Sequence, residues 1–196
     1  MKVLFVNACI RNKESRTLRL AKAFIDKLEK KEPKAIISET KLYEENLKPL
    51  LNSDIKKRDG FVSKKDFSDQ MFRWAKEFKE NDVVIIATPF WDLSFPSLLK
   101  FYIENIFVNE LTFKYENGIP MGLSKVKKVV LIATSGGPIN ENNLNYLFDA
   151  MDFLSSDKTK RIKSFVSMVD VLPMNLVDES IRKEIQRYDT LIDELD

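Results

Sequence analysis

The sequence contains no histidine and only one cysteine among its 196 residues. Without histidine there is no Ser-His-Asp or Cys-His triad, no HExxH zinc site and no side chain that titrates near neutrality in an ordinary environment. A single cysteine, Cys9, excludes a CxxC pair and a disulfide framework, as is typical of proteins of a reducing cytosol. If the protein is an enzyme, we therefore expect a bound cofactor to carry the difficult chemistry.

Long apolar runs and an excess of one charge are missing too. No segment reaches the ~18 apolar residues that a membrane span needs, and the apolar run at residues 3–6 is too short for a signal peptide. The 32 basic residues nearly balance the 30 acidic ones, and the formal net charge of +2 gives no strong attraction to nucleic acid or to an anionic membrane. We expect a cytoplasmic protein that binds neither.

Short β-branched runs alternate with amphipathic segments along the whole chain. Strands are predicted at residues 3–6, 35–37, 83–87, 129–133 and 165–171. Apolar residues at helical spacing predict helices around residues 18–28, 67–78, 99–106, 144–151 and 181–195, and the polar stretch 39–61 is predicted to be an irregular connection. This alternation predicts one α/β domain over residues 1–196, with a five-stranded parallel sheet covered by helices on both faces.

The loop after the first strand, residues 7–17, leads into a helix and suits a phosphate group. Helix N-termini offer unpaired N–H groups and the positive end of a dipole. Ser15 and Thr17 add hydroxyl donors, and Arg11 and Arg16 add positive charge. The alternative is that Ser15 only caps the helix while the arginines are solvated. The loop contains neither GxGxxG nor GxxxxGK[ST], so neither a Rossmann dinucleotide site nor a P-loop is predicted.

Two further loops follow the third and fourth predicted strands. Residues 88–96 hold three aromatic side chains between two prolines, which either lie against a flat heterocycle or pack on a helix or a second subunit. Residues 134–138 contain two of the five glycines, which indicates either close backbone approach to a ligand or a tight turn. Because ligands of doubly wound sheets bind beyond the carboxyl ends of the strands, the three loops together indicate a mononucleotide with a planar head group, and FMN matches best.

The order and spacing of these motifs resemble the flavodoxin-like family of FMN-dependent NAD(P)H oxidoreductases, in its NADH-azoreductase and NAD(P)H–quinone reductase branch. The segment ending Ser15-Arg16-Thr17 resembles the phosphate loop of that family, and Pro89-Phe90-Trp91-Asp92-Leu93 resembles its Pro-Met-Tyr-Asn-Phe loop. Residues 111–118 resemble its Thr-Phe-x-Tyr segment, and Thr134-Ser135-Gly136-Gly137 resembles its Ser-x-Gly-Gly loop. The resemblance covers residues 1 to about 140 and implies a flavodoxin-like fold.

The resemblance also implies a set of cofactor-binding residues, with no metal ligand and no catalytic side chain. The FMN phosphate would be held by Cys9, Ser15, Arg16 and Thr17, with Arg11 as a further cation of the same loop. The isoalloxazine ring would lie against Pro89, Phe90, Trp91, Asp92 and Leu93 and be flanked by Thr134, Ser135, Gly136 and Gly137.

Three positions depart from the family pattern or stay ambiguous. Cys9 stands where relatives usually have serine, and it is either a small packed residue or a reactive thiol. Pro138 follows the glycine pair where relatives often have histidine, so a proton relay through that histidine is excluded. Asp92 is either a base or a loop residue that accepts backbone hydrogen bonds.

The activity that the resemblance implies is ping-pong hydride transfer through the flavin, from NADH or NADPH to a quinone or an azo compound. The active site of this family commonly lies at a homodimer interface, so we expect a homodimer. Five aromatic residues that look exposed favour a dimer interface: Trp91, Phe95, Phe107, Phe113 and Tyr115. Phe107 and Phe113 would fit a core role equally well. The alternative function is an FMN-binding redox sensor or electron carrier without nicotinamide-dependent turnover.

Overall fold

Five parallel strands form the central sheet of the computed structural model, which describes residues 1–195. Seven strands lie within these described residues, namely β1 Lys2–Asn7, β2 Ile36–Lys41, β3 Val83–Phe90, β4 Phe113–Glu116, β5 Ile119–Gly122, β6 Lys128–Ser135 and β7 Lys160–Val166. The seven α-helices are α1 Arg16–Lys31, α2 Asn52–Val62, α3 Arg73–Lys79, α4 Ser97–Ile106, α5 Asn145–Leu154, α6 Met174–Gln186 and α7 Tyr188–Asp193. The sheet order is β2-β1-β3-β6-β7, which confirms the predicted flavodoxin-like architecture.

Successive residues of the inner strands are apolar, and successive side chains point to opposite faces of the sheet. Both faces are therefore buried. In β1, Leu4 and Val6 join a core with α3, α4 and α5, whereas Val3 and Phe5 join a second core with α1, α6 and α7. The same alternation continues in β3 and β6. The near-continuous apolar runs of the sequence are thus explained by burial on two sides.

Several element boundaries differ from the prediction. Residues 39–61 are not one irregular connection, because β2 extends to Lys41 and α2 spans Asn52–Val62 with Gly60 inside it. The predicted strand 165–171 is β7 at Lys160–Val166, and the final helical pattern is divided into α6 and α7 at Arg187. The predicted helix 67–78 is a 3-10 turn at Gln70–Phe72 followed by α3, and Phe67 lies before it.

A small antiparallel hairpin, β4–β5, branches off between α4 and β6 and was absent from the prediction. Glu116 pairs with Ile119, so Asn117 and Gly118 form a two-residue turn, and both have positive φ (53° and 80°). Asn-Gly is the dipeptide that such a turn favours. The signal was therefore present in the sequence, but it lay inside the segment assigned only by family resemblance.

The carboxyl ends of β1, β3, β6 and β7 meet at one edge of the sheet. The register aligns Asn7 with Ala87, Pro89 with Thr134, and Thr134 with Val166. Within residues 1–195 the longest helix, α1, has 16 residues, and none combines the length and apolar character that crossing a membrane requires.

Candidate functional site

An open cleft lies at this carboxyl edge, between the segments that follow β1, β3, β6 and β7. It is lined by Ile10, Arg11, Glu14, Ser15, Arg16, Thr17, Pro89, Phe90, Trp91, Thr134, Gly136, Val169 and Asp170. All three loops singled out in the sequence contribute to this lining. The structure therefore brings together the segment suited to phosphate, the aromatic segment and the first glycine of the pair.

The phosphate-type end of the cleft is built on the N-terminus of α1. Ser15 is the N-cap, and its Oγ accepts a hydrogen bond from the Leu18 backbone N–H at 3.1 Å. The capping role that the sequence left open is therefore real, and the Ser15 hydroxyl also hydrogen-bonds with the Cys9 thiol beneath it. The backbone N–H groups of Arg16 and Thr17 belong to the first helical turn, where the helix itself supplies no acceptor.

A buried hydrogen bond ties the first loop to the third. The hydroxyl oxygens of Thr17 and Thr134 are 2.7 Å apart, and both residues are almost fully buried. Each hydroxyl can donate one proton, so the pair can share one hydrogen bond and leave one proton for a ligand above it. This contact fixes the start of α1 against the end of β6, as a preformed ligand site requires.

Of the two alternatives for Cys9, the structure shows the packed residue. Its side chain is fully buried, outside the lining of the cleft, and the thiol donates to the Ala87 carbonyl with an Sγ–O distance of 3.6 Å. Its backbone N–H donates to Asn7 Oδ1 at 3.0 Å. Burial raises the pKa of Cys9 to about 12, so the thiol is protonated at neutral pH and is not a reactive nucleophile, while its predicted place beside the phosphate stays a prediction.

The aromatic side of the cleft begins inside β3 rather than in a loop. Thr88, Pro89 and Phe90 are strand residues, and Phe90 is buried edge-on against Phe95, with ring centroids 5.3 Å apart. Phe90 therefore packs in the core and also lines the cleft, and its contact with a flavin ring stays a prediction. Trp91, which is half-buried, lines the cleft at the point where the strand ends.

A tight turn follows Trp91. The Trp91 N–H donates to the Ser94 carbonyl at 3.0 Å, and the Ser94 N–H donates back to the Trp91 carbonyl at 2.8 Å. The two central residues, Asp92 and Leu93, have φ of 51° and 59°, a left-handed conformation that costs about 1 kcal/mol per non-glycine residue. Both are exposed beside the cleft and do not line it, so their contact with a flavin ring stays a prediction.

The glycine loop is held by its own backbone. Ser135 is buried at the end of β6, and its hydroxyl donates to the Gly137 carbonyl at 2.7 Å. The Asp170 N–H donates to the Gly136 carbonyl at 3.1 Å, and a Cβ at Gly136 would lie 2.6 Å from Asp170 Oδ2. Close approach at Gly136 is therefore made by the β7–α6 loop. Ser135 and Gly137 are outside the cleft lining, and their predicted role at the ring is likewise untested.

Four lining residues were missed by the sequence reasoning: Ile10, Glu14, Val169 and Asp170. Ile10 and Glu14 lie inside the first loop, but neither carries a hydroxyl or a basic group, the two features on which the phosphate prediction rests. Val169 and Asp170 were hidden because the last strand was predicted to run to residue 171, whereas it ends at Val166 and the next residues turn over the cleft. The positive φ of Met168, 65°, marks this turn.

A second depression lies on another face, between α2, α4 and α5. It encloses about 640 Å³ and is lined by Leu50, Ile55, Arg58, Lys100, Ile103, Glu104, Phe107, Tyr146, Asp149, Ala150 and Phe153. We call it the α2–α4–α5 groove. Phe107 stacks on Phe153 at 5.5 Å, and Phe113 meets the same ring edge-on at 5.2 Å, so these two aromatics are half-buried and partly serve the core.

Together, the helix N-terminus, the two arginines and the aromatic wall at the carboxyl edge of the parallel sheet β2-β1-β3-β6-β7 are typical of a mononucleotide-binding protein of the doubly wound α/β class. A sequence profile described as "Flavodoxin-like fold" matches residues 1–192, and the chain belongs to this family.

Characterised relatives narrow the resemblance further. The chain is 35% identical over 193 residues to the FMN-dependent NADH:quinone oxidoreductase of Coprothermobacter proteolyticus, with 94% of this chain and 92% of that protein covered. It is 34% identical over 192 residues to a protein of the same name from Clostridium perfringens, with 94% and 96% covered. These relatives confirm the family branch that the motifs indicated.

Solved structures confirm the fold. An azoreductase from Bacillus anthracis superposes with a TM-score of 0.83 at 23% identity, covering 99% of both chains. An FMN-dependent NADH-azoreductase from the same species, determined in complex with FMN, gives a TM-score of 0.76 at 19% identity, covering 97% of this chain and 99% of that one.

Proposed function

We propose that the protein is an FMN-dependent NAD(P)H oxidoreductase that reduces quinones or azo compounds. The observation that carries this proposal is the cleft itself, which joins the N-terminus of α1, two arginines and the aromatic end of β3. The relatives that match over almost the whole chain are FMN-dependent NADH:quinone oxidoreductases, which supports the same reading. NADH is the nucleotide named for them, so we propose NADH as the principal co-substrate.

The residues of the cleft fit FMN by their chemistry. Ser15, the first-turn N–H groups of α1 and the guanidinium groups of Arg11 and Arg16 are donors suited to a phosphate. Pro89 and Trp91 present apolar surface suited to one side of a planar ring. FMN supplies a centre that accepts and returns a hydride when it is bound.

The chain's own contribution is binding and orientation. The Thr17–Thr134 hydrogen bond and the Ser15 cap hold the phosphate donors in place, and the turn at residues 91–94 holds Trp91 at the mouth of the cleft. No titrating side chain is needed for this role, which agrees with a sequence that contains no histidine. The protein therefore needs little acid–base chemistry of its own.

The phosphate assignment is tested by Ser15→Ala. We expect this variant to bind FMN about tenfold more weakly, because it removes a hydroxyl donor and the cap of α1, while binding of riboflavin, which lacks the phosphate, changes less. Flavin fluorescence titration of the apoprotein measures both. The matched control is Asp69→Ala, which removes another N-cap, to the Met71 N–H at 2.9 Å, on a 3-10 turn that does not line the cleft. Equal FMN affinity in Ser15→Ala and wild type would refute the assignment.

Turnover separates the enzyme from the redox sensor or electron carrier. Steady-state rates with NADH and with NADPH, against a panel of quinones and azo dyes, should show nucleotide oxidation that depends on both FMN and the acceptor. A protein that binds FMN but oxidises neither nucleotide would be a sensor or carrier instead.

We also propose that the working form is a homodimer joined through the α2–α4–α5 groove, with a second copy as the occupant. The groove is lined by apolar side chains and by both charge signs, with Lys100 paired to Glu104 at 3.3 Å and Asp149 to Arg161 at 2.7 Å within the chain. A two-fold axis can then bring each basic group near an acidic group of the other copy, as a self-paired surface requires.

A cytoplasmic location fits the single buried cysteine, and it remains a prediction.

A further inference from the structure

The proposed phosphate end of the cleft contains as many acids as bases. Its charged lining residues are Arg11, Arg16, Glu14 and Asp170, so their formal charges cancel. A phosphomonoester carries about −1.5 to −2 charges near neutral pH, so basic side chains of the cleft attract it and acidic side chains repel it. The two acids therefore need an explanation, and the structure supplies one for Asp170.

Asp170 already accepts a hydrogen bond from one of the groups that we assign to the phosphate. Its Oδ1 accepts a hydrogen bond from Arg16 Nη1 at 2.7 Å, and Arg16 is the first residue of α1. The carboxylate is held over the cleft by its own backbone, because the Asp170 N–H donates to the Gly136 carbonyl at 3.1 Å. Oδ2 lies where a side chain at position 136 would begin, so the glycine leaves room for it.

A similar ion pair one turn further along α1 lies outside the cleft and provides a comparison. Arg19 Nη1 donates to Asp178 Oδ1, also at 2.7 Å, and this pair links α1 to α6 outside the cleft. Both pairs bridge the same helix to the segment after β7, and both are substantially exposed. Only Asp170 stands where an incoming phosphate would meet its charge.

Resting on the proposed function, we infer that Asp170 is an internal counter-anion that competes with the flavin phosphate for Arg16 and so sets the preference of the cleft for FMN over riboflavin. With Asp170 charged, binding of the phosphate brings a second anion to the same guanidinium and must overcome their repulsion. The affinity gained from the phosphate is therefore smaller than the donors of the first loop would give alone.

The experiment measures dissociation constants of FMN and riboflavin for the apoprotein by flavin fluorescence. We expect Asp170→Asn to bind FMN about three- to tenfold more tightly, from removal of one charge beside a nearly dianionic group, and riboflavin with unchanged affinity. Asp170→Glu, which keeps the charge, should restore the wild-type ratio of the two constants. Asp178→Asn, the matched control, should leave both constants unchanged.

Three results would overturn the inference. Weaker FMN binding by Asp170→Asn would mean that the carboxylate orients Arg16 for the phosphate. Equal changes for FMN and riboflavin would mean that it acts elsewhere on the flavin, and no change would mean that it plays no part. Wild-type protein that binds neither flavin would overturn the proposed function as well, whereas normal FMN binding with an unaltered Asp170→Asn variant would overturn this inference alone.

Discussion

At the scale of single residues, Cys9 shows how burial decides chemistry that the sequence leaves open. A cysteine beside an arginine near a helix start has the sequence context of a reactive thiol. In the folded chain its side chain is fully buried, and the thiol donates a hydrogen bond to the Ala87 carbonyl. Burial raises the pKa of the thiol to about 12. Desolvation of the thiolate therefore outweighs the hydrogen bond with Ser15, which acts to lower this pKa.

The folded protein should consequently resist thiol reagents. At pH 8 we expect an aromatic disulfide reagent to modify Cys9 only after denaturant is added, because the thiolate is the reacting species and the side chain is inaccessible. The raised pKa also means that the unfolded chain loses this proton first as the pH rises above about 9. Its contribution to stability is thus complete below pH 9 and is lost as the pH rises toward about 12. Rapid modification of the folded protein at pH 8 would contradict the assignment.

At the scale of elements, two glycines predict opposite effects of the same substitution. A Cβ at Gly122, the last residue of β5, would lie 2.2 Å from the Ser155 carbonyl oxygen, which is backbone and cannot move aside cheaply. A Cβ at Gly60, inside α2, would meet nothing within 4 Å. The first glycine allows the hairpin to pack on the end of α5, and the second only weakens a helix.

Gly122→Ala should lower the free energy of unfolding by about 2–3 kcal/mol through overpacking. Gly60→Ala should raise it by about 0.5–1 kcal/mol, since alanine favours the helix interior. Urea denaturation followed by circular dichroism measures both. A Gly122→Ala protein as stable as wild type would show that the hairpin does not pack as described.

Elements with a buried apolar face were predictable, and those without one were not. The helical spacing of apolar residues predicts α1 and α4. The structure buries the residues of that pattern, among them Leu18, Phe24, Leu99 and Tyr102. α2 has no buried residue, so its apolar residues show no helical spacing, and the sequence predicts an irregular connection there. The break at Arg187 keeps the apolar spacing in step, and α6 and α7 therefore resembled one helix.

At the scale of the whole molecule, the site was predictable to the extent that strand order was. A doubly wound sheet brings the ends of β1, β3 and β6 to one edge, so the three loops could be grouped from sequence alone. The contribution of Asp170 depended on where β7 ends and on the turn at Met168, which periodicity does not determine. The site is therefore better predicted in its location than in its charge.

The groove also yields a prediction about assembly. Ile55 on α2 is 39% exposed and lines the α2–α4–α5 groove, whereas Leu176 on α6 is 41% exposed and lies outside it. We expect wild type and Leu176→Glu to sediment as dimers, and Ile55→Glu to dissociate at concentrations at least about tenfold higher, because a buried charge would face an apolar surface. Monomeric wild-type protein, or equal behaviour of the two variants, would contradict the proposed interface.

The most direct test of the whole account is anaerobic reduction of the bound flavin. Apoprotein reconstituted with FMN should lose its yellow colour when stoichiometric NADH is added without oxygen, and addition of a quinone should restore it. That result requires the bound flavin to accept a hydride from the nucleotide and to pass the electrons on to the quinone. FMN that binds but stays oxidised in excess NADH and NADPH would contradict the proposed function.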